Sequence, residues 1–200
     1  MTQFIQLHFL TSYPPANLNR DDLGNPKTAR LGGVERLRVS SQSLKRAWRT
    51  SEAFQKEFSG SIGTRTRRLG IEVFEALKAK GVAEKKAKDW AEEIAKEYGA
   101  LRKKAPLEIQ QPVHVAPEER KTLDDLVSKL AEEKRGPKKE ELESLLHDHT
   151  AVDIAMFGRM LASKTEFNGE AAVQVAHAIG VHASAVEDDY FTAVDDLNRN

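Results

Sequence analysis

A short block of polar and basic residues has the composition of a phosphate-binding site. Ser40, Ser41 and Gln42 stand at the predicted start of a helix, and Lys45 and nearby arginines follow within its first turns. A helix N-terminus exposes unpaired N–H groups and carries a partial positive charge, so it favours an anion. The block therefore predicts a phosphate site, although a capped amphipathic helix with a solvated basic face would show the same pattern.

Positive charge is concentrated in the same part of the chain. The 200 residues carry 31 Lys and Arg against 31 Asp and Glu, a net charge of zero. Residues 20–68 hold twelve basic and five acidic residues, a sum of +7, which residues 69–200 offset. This balance argues against nucleic acid on every face, but it is compatible with one phosphate-binding groove.

The composition also bounds the class of protein. A hydrophobic fraction of 40% is enough for the core of a globular protein. The absence of cysteine excludes disulfides, thiolate zinc sites and cysteine nucleophiles, and it favours a cytoplasmic location. We also find no signal peptide and no apolar run of about 18 residues, so we expect neither secretion nor a membrane span.

Hydrophobic periodicity places the basic block between a strand and a helix. Residues 4–10 alternate as a strand does, and residues 11–33 are too rich in turn formers for regular structure. Leu37 and Val39 predict a short strand. A helix over residues 41–58 would follow, with its buried face formed by Leu44, Ala47, Trp48 and Phe54.

The rest of the chain reads as a helical insertion followed by returning strands. Helices are predicted near residues 69–80, 83–98, 118–134 and 138–147, and strands over residues 151–157 and 171–182. The second strand has one face nearly bare of side chains, which would either pack closely against a helix or let another backbone or a ligand approach. The fold class is α+β, an incomplete ferredoxin-like half without its second helix and last strand, so we expect a fragment of a longer protein.

Four blocks together resemble the backbone subunit of the type I-E CRISPR Cascade complex, the repeated RAMP-type subunit that coats the guide RNA. They are Leu18–Asp22, Gly32–Arg49, Val152–Met160, and Ala176–Ile179 with Phe191–Leu197. The resemblance implies a modified RNA-recognition-type palm formed by residues 1–60 and 151–200. It also implies helical fingers over residues 61–150 and a thumb that would begin after Asp196.

The resemblance implies RNA binding without catalysis. Such a subunit holds guide RNA phosphates, assembles beside copies of itself and other Cascade subunits, and takes part in target DNA recognition in antiviral defence. No cofactor is implied. Backbone contacts suit this role, because they do not depend on the sequence of the guide.

The resemblance also assigns residues. RNA phosphate contacts fall on Arg20, Lys27, Ser40, Gln42, Lys45, Arg46 and Arg49. Met160 matches an apolar residue beside a displaced base, and Lys138 and Lys139 match finger lysines that contact target DNA. By their residue types alone, Arg49 could instead pair with a carboxylate such as Glu52, and Met160 could belong to the core.

Three alternatives remain open at this stage. A RAMP-family endoribonuclease that processes CRISPR RNA could use the same palm with a histidine as general base. His147, Asp148 and His149, with Asp153 and with Asp21 and Asp22, could suggest a metal hydrolase, although the trio is more typical of a helix end. The helical insertion could also be a protein-docking surface.

Overall fold

Short strands and helices alternate along the chain, which divides into two units. The computed structural model describes residues 4–14, 16–146, 151–161 and 164–185. The first unit comprises residues 1–46 and 175–200, and the second comprises residues 47–174. The elements, in chain order, are β1 (Thr28–Leu31), β2 (Val34–Val39), α1 (Ser41–Arg49), α2 (Glu52–Glu57), β3 (Thr64–Thr66), α3 (Leu69–Ala79), α4 (Glu84–Tyr98), β4 (Leu101–Arg102), β5 (Ala105–Ile109), β6 (Val113–Val115), α5 (Pro117–Glu133), α6 (Lys139–Glu143), α7 (Val152–Phe157), a 3₁₀ helix (Thr165–Phe167) and β7 (Ala178–Ile179). The predicted mixture of helices and strands is confirmed.

The first unit contains a three-stranded antiparallel sheet in the order β1-β2-β7. Gly32 and Gly33 form the two-residue turn between β1 and β2 with φ of +65° and +82°, a left-handed geometry that glycine adopts without strain. The predicted strand at Leu37 and Val39 is confirmed. Strand β1 lies in the stretch predicted to be irregular, so that prediction is wrong over four residues.

Strand β7 is much shorter than predicted. Of residues 171–182, only Ala178 and Ile179 pair with β2. The next residue, Gly180, donates its N–H to the Leu37 carbonyl at 2.7 Å. This hydrogen bond extends the edge pairing with β2 by one residue, but the long strand is not formed, and close packing on its bare face stays a prediction.

The predicted N-terminal strand is also wrong. Residues 4–14 have no regular structure, and the side chains meant to be buried are exposed, with Phe4 at 92% and Phe9 at 81%. A strand is held by hydrogen bonds to a neighbour, and no strand in the described ranges pairs with this segment. In those ranges no apolar side chain of the first unit is buried.

The second unit contains the hydrophobic core. Helices α3, α4 and α5 bury a cluster that includes Leu69, Leu77, Ile94, Tyr98 and Leu130. These three helices begin and end within two residues of the predicted bounds, whereas α6 is shorter than predicted. Two small antiparallel pairs, β3 with β6 and β4 with β5, were not predicted.

The predicted strand over residues 151–157 is a helix, α7. Val152, Ile154 and Met156 alternate, but so short a run fits either period. Asp153 and Ile154 are adjacent and both fully buried, which a strand with one polar face would not allow. Helix α7 buries both side chains, and the Asp153 carboxylate contacts Gly63 N and His114 in the same unit.

The predicted helix over residues 41–58 is two helices. Helix α2 begins after Ser51, whose Oγ accepts a hydrogen bond from Phe54 N at 3.3 Å and so caps it. Helix α1 has no buried residue, and Trp48 is 43% exposed. The predicted burial of Ala47 and Trp48 is therefore wrong, and Leu44 is half-buried. Phe54 is half-buried and stacks on Phe157 with ring centroids 6.2 Å apart.

Candidate nucleic-acid interface

Ser40 forms the junction between β2 and α1. Its Oγ accepts a hydrogen bond from Ser43 N at 3.4 Å, and its carbonyl accepts from Ser43 N and Leu44 N. Ser40 is therefore the N-cap of α1, one of the two serines predicted for that role. With only 6% of its surface exposed, Ser40 fixes the direction in which the helix leaves the strand.

The helix N-terminus is partly occupied by the protein itself. The amide of Ser41 donates to Nδ1 of His177 at 3.1 Å. No local sequence pattern indicates this contact, because the two residues are 136 positions apart. One of the N–H groups expected to face an anion therefore already has a partner. Phosphate binding at this helix start then depends mainly on the side chains that follow Ser41.

Gln42 and Lys45 lie in the first turns of α1. Gln42 is exposed and Lys45 is half-buried. Among the described residues, no ion pair involves Lys45, so its positive charge is uncompensated. Arg46 is exposed and already makes an interaction within the protein. Lys45 is therefore the cation in this helix best placed to receive an anion.

Asn19 ties the loop before β1 to the same junction. Its Oδ1 accepts from Ser40 N at 2.9 Å, and its carbonyl accepts from Lys27 N at 2.8 Å. Arg20, the next residue, forms a bridge with Pro26. The fold thus brings Arg20, Lys27 and Ser40 together, although they are up to 20 positions apart in the chain.

Asp21 gives this loop its shape. Its Oδ1 accepts from Leu23 N at 2.9 Å and from Asn25 N at 2.8 Å, which closes an Asx turn. Asn19 and Asp21 were not among the predicted site residues. Their signal was the Asn-Arg-Asp-Asp run, in which short side chains that bind backbone flank the cation.

Arg49 takes part in a buried ionic cluster of the second unit. Its Nη1 lies 3.4 Å from Oδ2 of Asp153 and 3.0 Å from Nε2 of His114. The expected alternative, an ion pair, is therefore present, but its acid is Asp153 and not Glu52. Phosphate contact by Arg49 stays a prediction, and its guanidinium already has an anionic partner.

Asp153 is the centre of this cluster and is fully buried. It accepts from Gly63 N at 2.8 Å, and its Oδ2 lies 3.0 Å from Nε2 of His114. Burial opposes ionisation, but the hydrogen bonds from His114 and Gly63 and the charge of Arg49 outweigh it and hold the pKa of Asp153 below its ordinary value. The carboxylate therefore acts as a structural anion.

Met160 lies beside a groove on the second unit and is 73% exposed. Gly158, two residues earlier, has φ of +81°, and a Cβ there would lie 3.1 Å from the Gly169 carbonyl oxygen. The alternative that Met160 belongs to the core is therefore wrong. The groove has a volume of about 330 Å³ and is lined by Arg65, Gln111, Pro112, His114, Gly158, Arg159 and Met160.

The predicted DNA-contacting lysines lie at the start of α6. Lys138 precedes the helix, and Lys139 is largely exposed with its Nζ 3.7 Å from Glu143. The loop before them is held by Arg135, which donates to both carboxylate oxygens of Glu141 at 2.7 Å. These hydrogen bonds hold the pKa of Glu141 well below its usual range. Both lysines therefore lie at the start of a helix that follows an ordered loop.

The histidines and the aspartate of the predicted metal site follow α6 in the chain. His147, Asp148 and His149 lie outside the described residues. Within the ranges that the structure describes, no group of three or more His, Cys, Asp or Glu side chains could hold a metal ion. Over the same ranges, no helix is long and apolar enough to cross a membrane.

The chain is similar to chains of solved complexes. A comparison with curated proteins gave no match. Among solved structures, a chain of a "CRISPR RNA-guided surveillance complex" is similar with a TM-score of 0.63 and 32% identity, covering 86% of this chain and 56% of its own length. A chain of a "CRISPR RNA-guided surveillance complex, pre-nicking" gives a TM-score of 0.69 and 32% identity, covering 92% of this chain and 54% of its own.

This chain therefore spans a little over half the length of those solved chains. The described sheets and helices thus have counterparts in subunits of CRISPR complexes. The family described as "CT1975-like protein" matches residues 5–200, which is nearly the whole sequence. The chain belongs to this family of CRISPR-associated proteins.

Proposed function

We propose that this chain is the N-terminal part of the non-catalytic backbone subunit of a type I-E Cascade complex, which holds guide RNA by its phosphates. The observation that carries the proposal is the junction of β2 and α1. There the uncompensated charge of Lys45 follows Ser40 and Gln42, and Asn19 ties Arg20 and Lys27 to the same place. The similarity to subunits of RNA-guided complexes supports RNA as the ligand.

The chemistry of this junction favours backbone binding over base reading. Ammonium, guanidinium, amide and hydroxyl groups all donate hydrogen bonds to phosphate oxygens. Such contacts suit a guide whose sequence varies. The partners that follow are guide RNA, neighbouring copies of the subunit, other Cascade subunits and, through the assembled complex, target DNA. The palm and fingers division of the chain is part of this proposal.

The test replaces Lys45 and Gln42, the two side chains in the first turns of α1 that we expect to contact RNA. Lys45→Ala with Gln42→Ala should weaken binding of single-stranded RNA at least tenfold, because a charge-assisted hydrogen bond is lost. The slope of log affinity against log salt should fall by about 0.7, because the double variant removes one cationic contact to a single strand, that of Lys45, and the Gln42 amide is neutral. Two RNAs of unrelated sequence should respond equally.

Lys103→Ala is the matched control, since it removes one exposed positive charge from the turn between β4 and β5. It should leave affinity and salt slope nearly unchanged. Unchanged RNA binding by the double variant would refute the phosphate assignment. We also expect no cleavage when repeat-containing RNA is incubated with the protein in the absence of metal. Specific cleavage would favour the endoribonuclease alternative.

A further inference from the structure

The groove beside Met160 has a cation that the proposed phosphate contacts do not include. Strands β3 and β6 pair in antiparallel register with Arg65 directly opposite His114. Directly opposed residues share a face of the sheet, and both side chains line the groove. Gln111 and Pro112, in the bend between β5 and β6, form the adjoining wall.

The charges around the groove leave Arg65 uncompensated. Arg159 is paired with Glu119, and Arg49 with Asp153. No described residue forms an ion pair or hydrogen bond with the guanidinium of Arg65. Three arginines against two carboxylates leave one arginine charge in excess, and that charge is the exposed one. The groove therefore favours an anion.

The other walls suit the remaining parts of a nucleotide. Met160 and Pro112 offer apolar surface against which a base can lie, and Met adapts its shape to different bases. Gln111 is exposed and carries both a donor and an acceptor. A volume of about 330 Å³ is at the lower end of ligand pockets, which fits a single nucleotide.

We propose that this groove binds one nucleotide of a single-stranded RNA, with its phosphate on the Arg65 guanidinium and its ribose or base edge on the Gln111 amide. The inference rests on the proposed function and adds Arg65 and Gln111 to the residues that contact RNA. The wall is rigid, because the buried Arg159–Glu119 pair holds the segment that carries Met160. The nucleotide would therefore meet a preformed site.

The experiment measures binding of a mixed-sequence single-stranded oligoribonucleotide by the full chain over a range of salt concentrations. Arg65→Ala should weaken binding about tenfold and lower the salt slope by about 0.7. Arg65→Lys should retain most of the slope, because the charge remains. Gln111→Ala should weaken binding with the slope unchanged, since the amide is neutral. Lys103→Ala is again the control for loss of a surface charge.

A 4-thiouridine-labelled RNA gives an independent readout, because its photocrosslinks should map to peptides containing Gln111 or Met160. If RNA binding depends on Lys45 but Arg65→Ala behaves like wild type and no crosslink maps to the groove, the groove assignment is wrong and the proposed function stands. If the wild-type chain binds no RNA, the proposed function fails and the groove assignment fails with it. Folding of each variant is checked by circular dichroism before binding is measured.

Discussion

Arg159 and Glu119 form a fully buried ion pair that joins the start of α5 to the segment carrying Met160. Nη1 of Arg159 donates to both carboxylate oxygens of Glu119, at 2.8 and 2.7 Å. Oε2 of Glu119 also accepts from Ala116 N at 2.9 Å, and Nη2 of Arg159 donates to the Phe167 carbonyl at 3.1 Å. One pair thus fixes a helix start and one wall of the groove.

Breaking this pair should destabilise the second unit strongly. Arg159→Ala leaves the Glu119 carboxylate buried without its cation, which typically costs about 3–5 kcal/mol. Urea unfolding followed by circular dichroism measures the loss. Replacing both residues, as Arg159→Met with Glu119→Leu, should cost less than Arg159→Ala, because no lone charge remains buried. A loss below about 1 kcal/mol for Arg159→Ala would contradict this account.

The depressed pKa of Asp153 predicts a sensitivity to acid. Because the folded state lowers this pKa, the unfolded chain binds the proton more readily, and stability falls as pH drops below about 4, the ordinary value, through the folded pKa. Asp153→Asn should be less stable than wild type at pH 7 by about 3 kcal/mol. It should also lose less stability than wild type below about pH 4.

Thermal unfolding at a series of pH values measures this difference. Asp125→Asn, on an exposed position of α5, is the control and should follow the wild-type pH profile. Parallel profiles for wild type and Asp153→Asn below pH 4 would show that the cluster with Arg49 and His114 does not favour the charged carboxylate.

Gly70 should be intolerant of a side chain despite its place in a helix. Within an exposed helix, Gly→Ala typically stabilises by about 1 kcal/mol. A Cβ on Gly70 would lie 2.6 Å from the Leu107 carbonyl, so α3 and β5 would have to separate. Gly70→Ala should therefore lower the free energy of unfolding, whereas Glu75→Ala, an exposed position of α3, should change it by less than about 0.5 kcal/mol.

The two units should respond differently to the loss of apolar side chains. Leu130 is fully buried in the second unit, so Leu130→Ala should cost about 2–5 kcal/mol. Phe9 is 81% exposed, so Phe9→Ser should change the free energy of unfolding of this chain by less than about 0.5 kcal/mol. Chemical denaturation of both variants checks the contrast, and equal losses would contradict the observed placement of residues 4–10.

Long amphipathic segments were predicted well, whereas short ones were not. Helices α3, α4 and α5 repeat their apolar pattern over several turns and have Pro or Gly near their ends, so their bounds follow from local sequence. The run over residues 151–157 is too short to distinguish two periods. The segment over residues 4–10 alternates correctly but has no partner strand among the described residues.

In the candidate site, too, local features could be predicted from sequence and contacts between distant residues could not. Residue types alone indicated that the block from Ser40 to Arg49 favours an anion. Local sequence could not show that the Ser41 amide donates a hydrogen bond to His177 or that Arg49 pairs with Asp153. It also could not show that Arg65 lies opposite His114 without a counter-charge. Each of these pairings joins residues at least 49 positions apart.

The amino-acid sequence by itself determined the segregation of positive charge, the long helices of the second unit and the position of the polar block at a strand-to-helix junction. These properties depend on local composition and on periodicity along a few turns. Only the tertiary structure decided which cations are neutralised and which remain free. The interaction between two charges depends on the distance between them in space, and residues far apart in the chain come close together only when the chain folds.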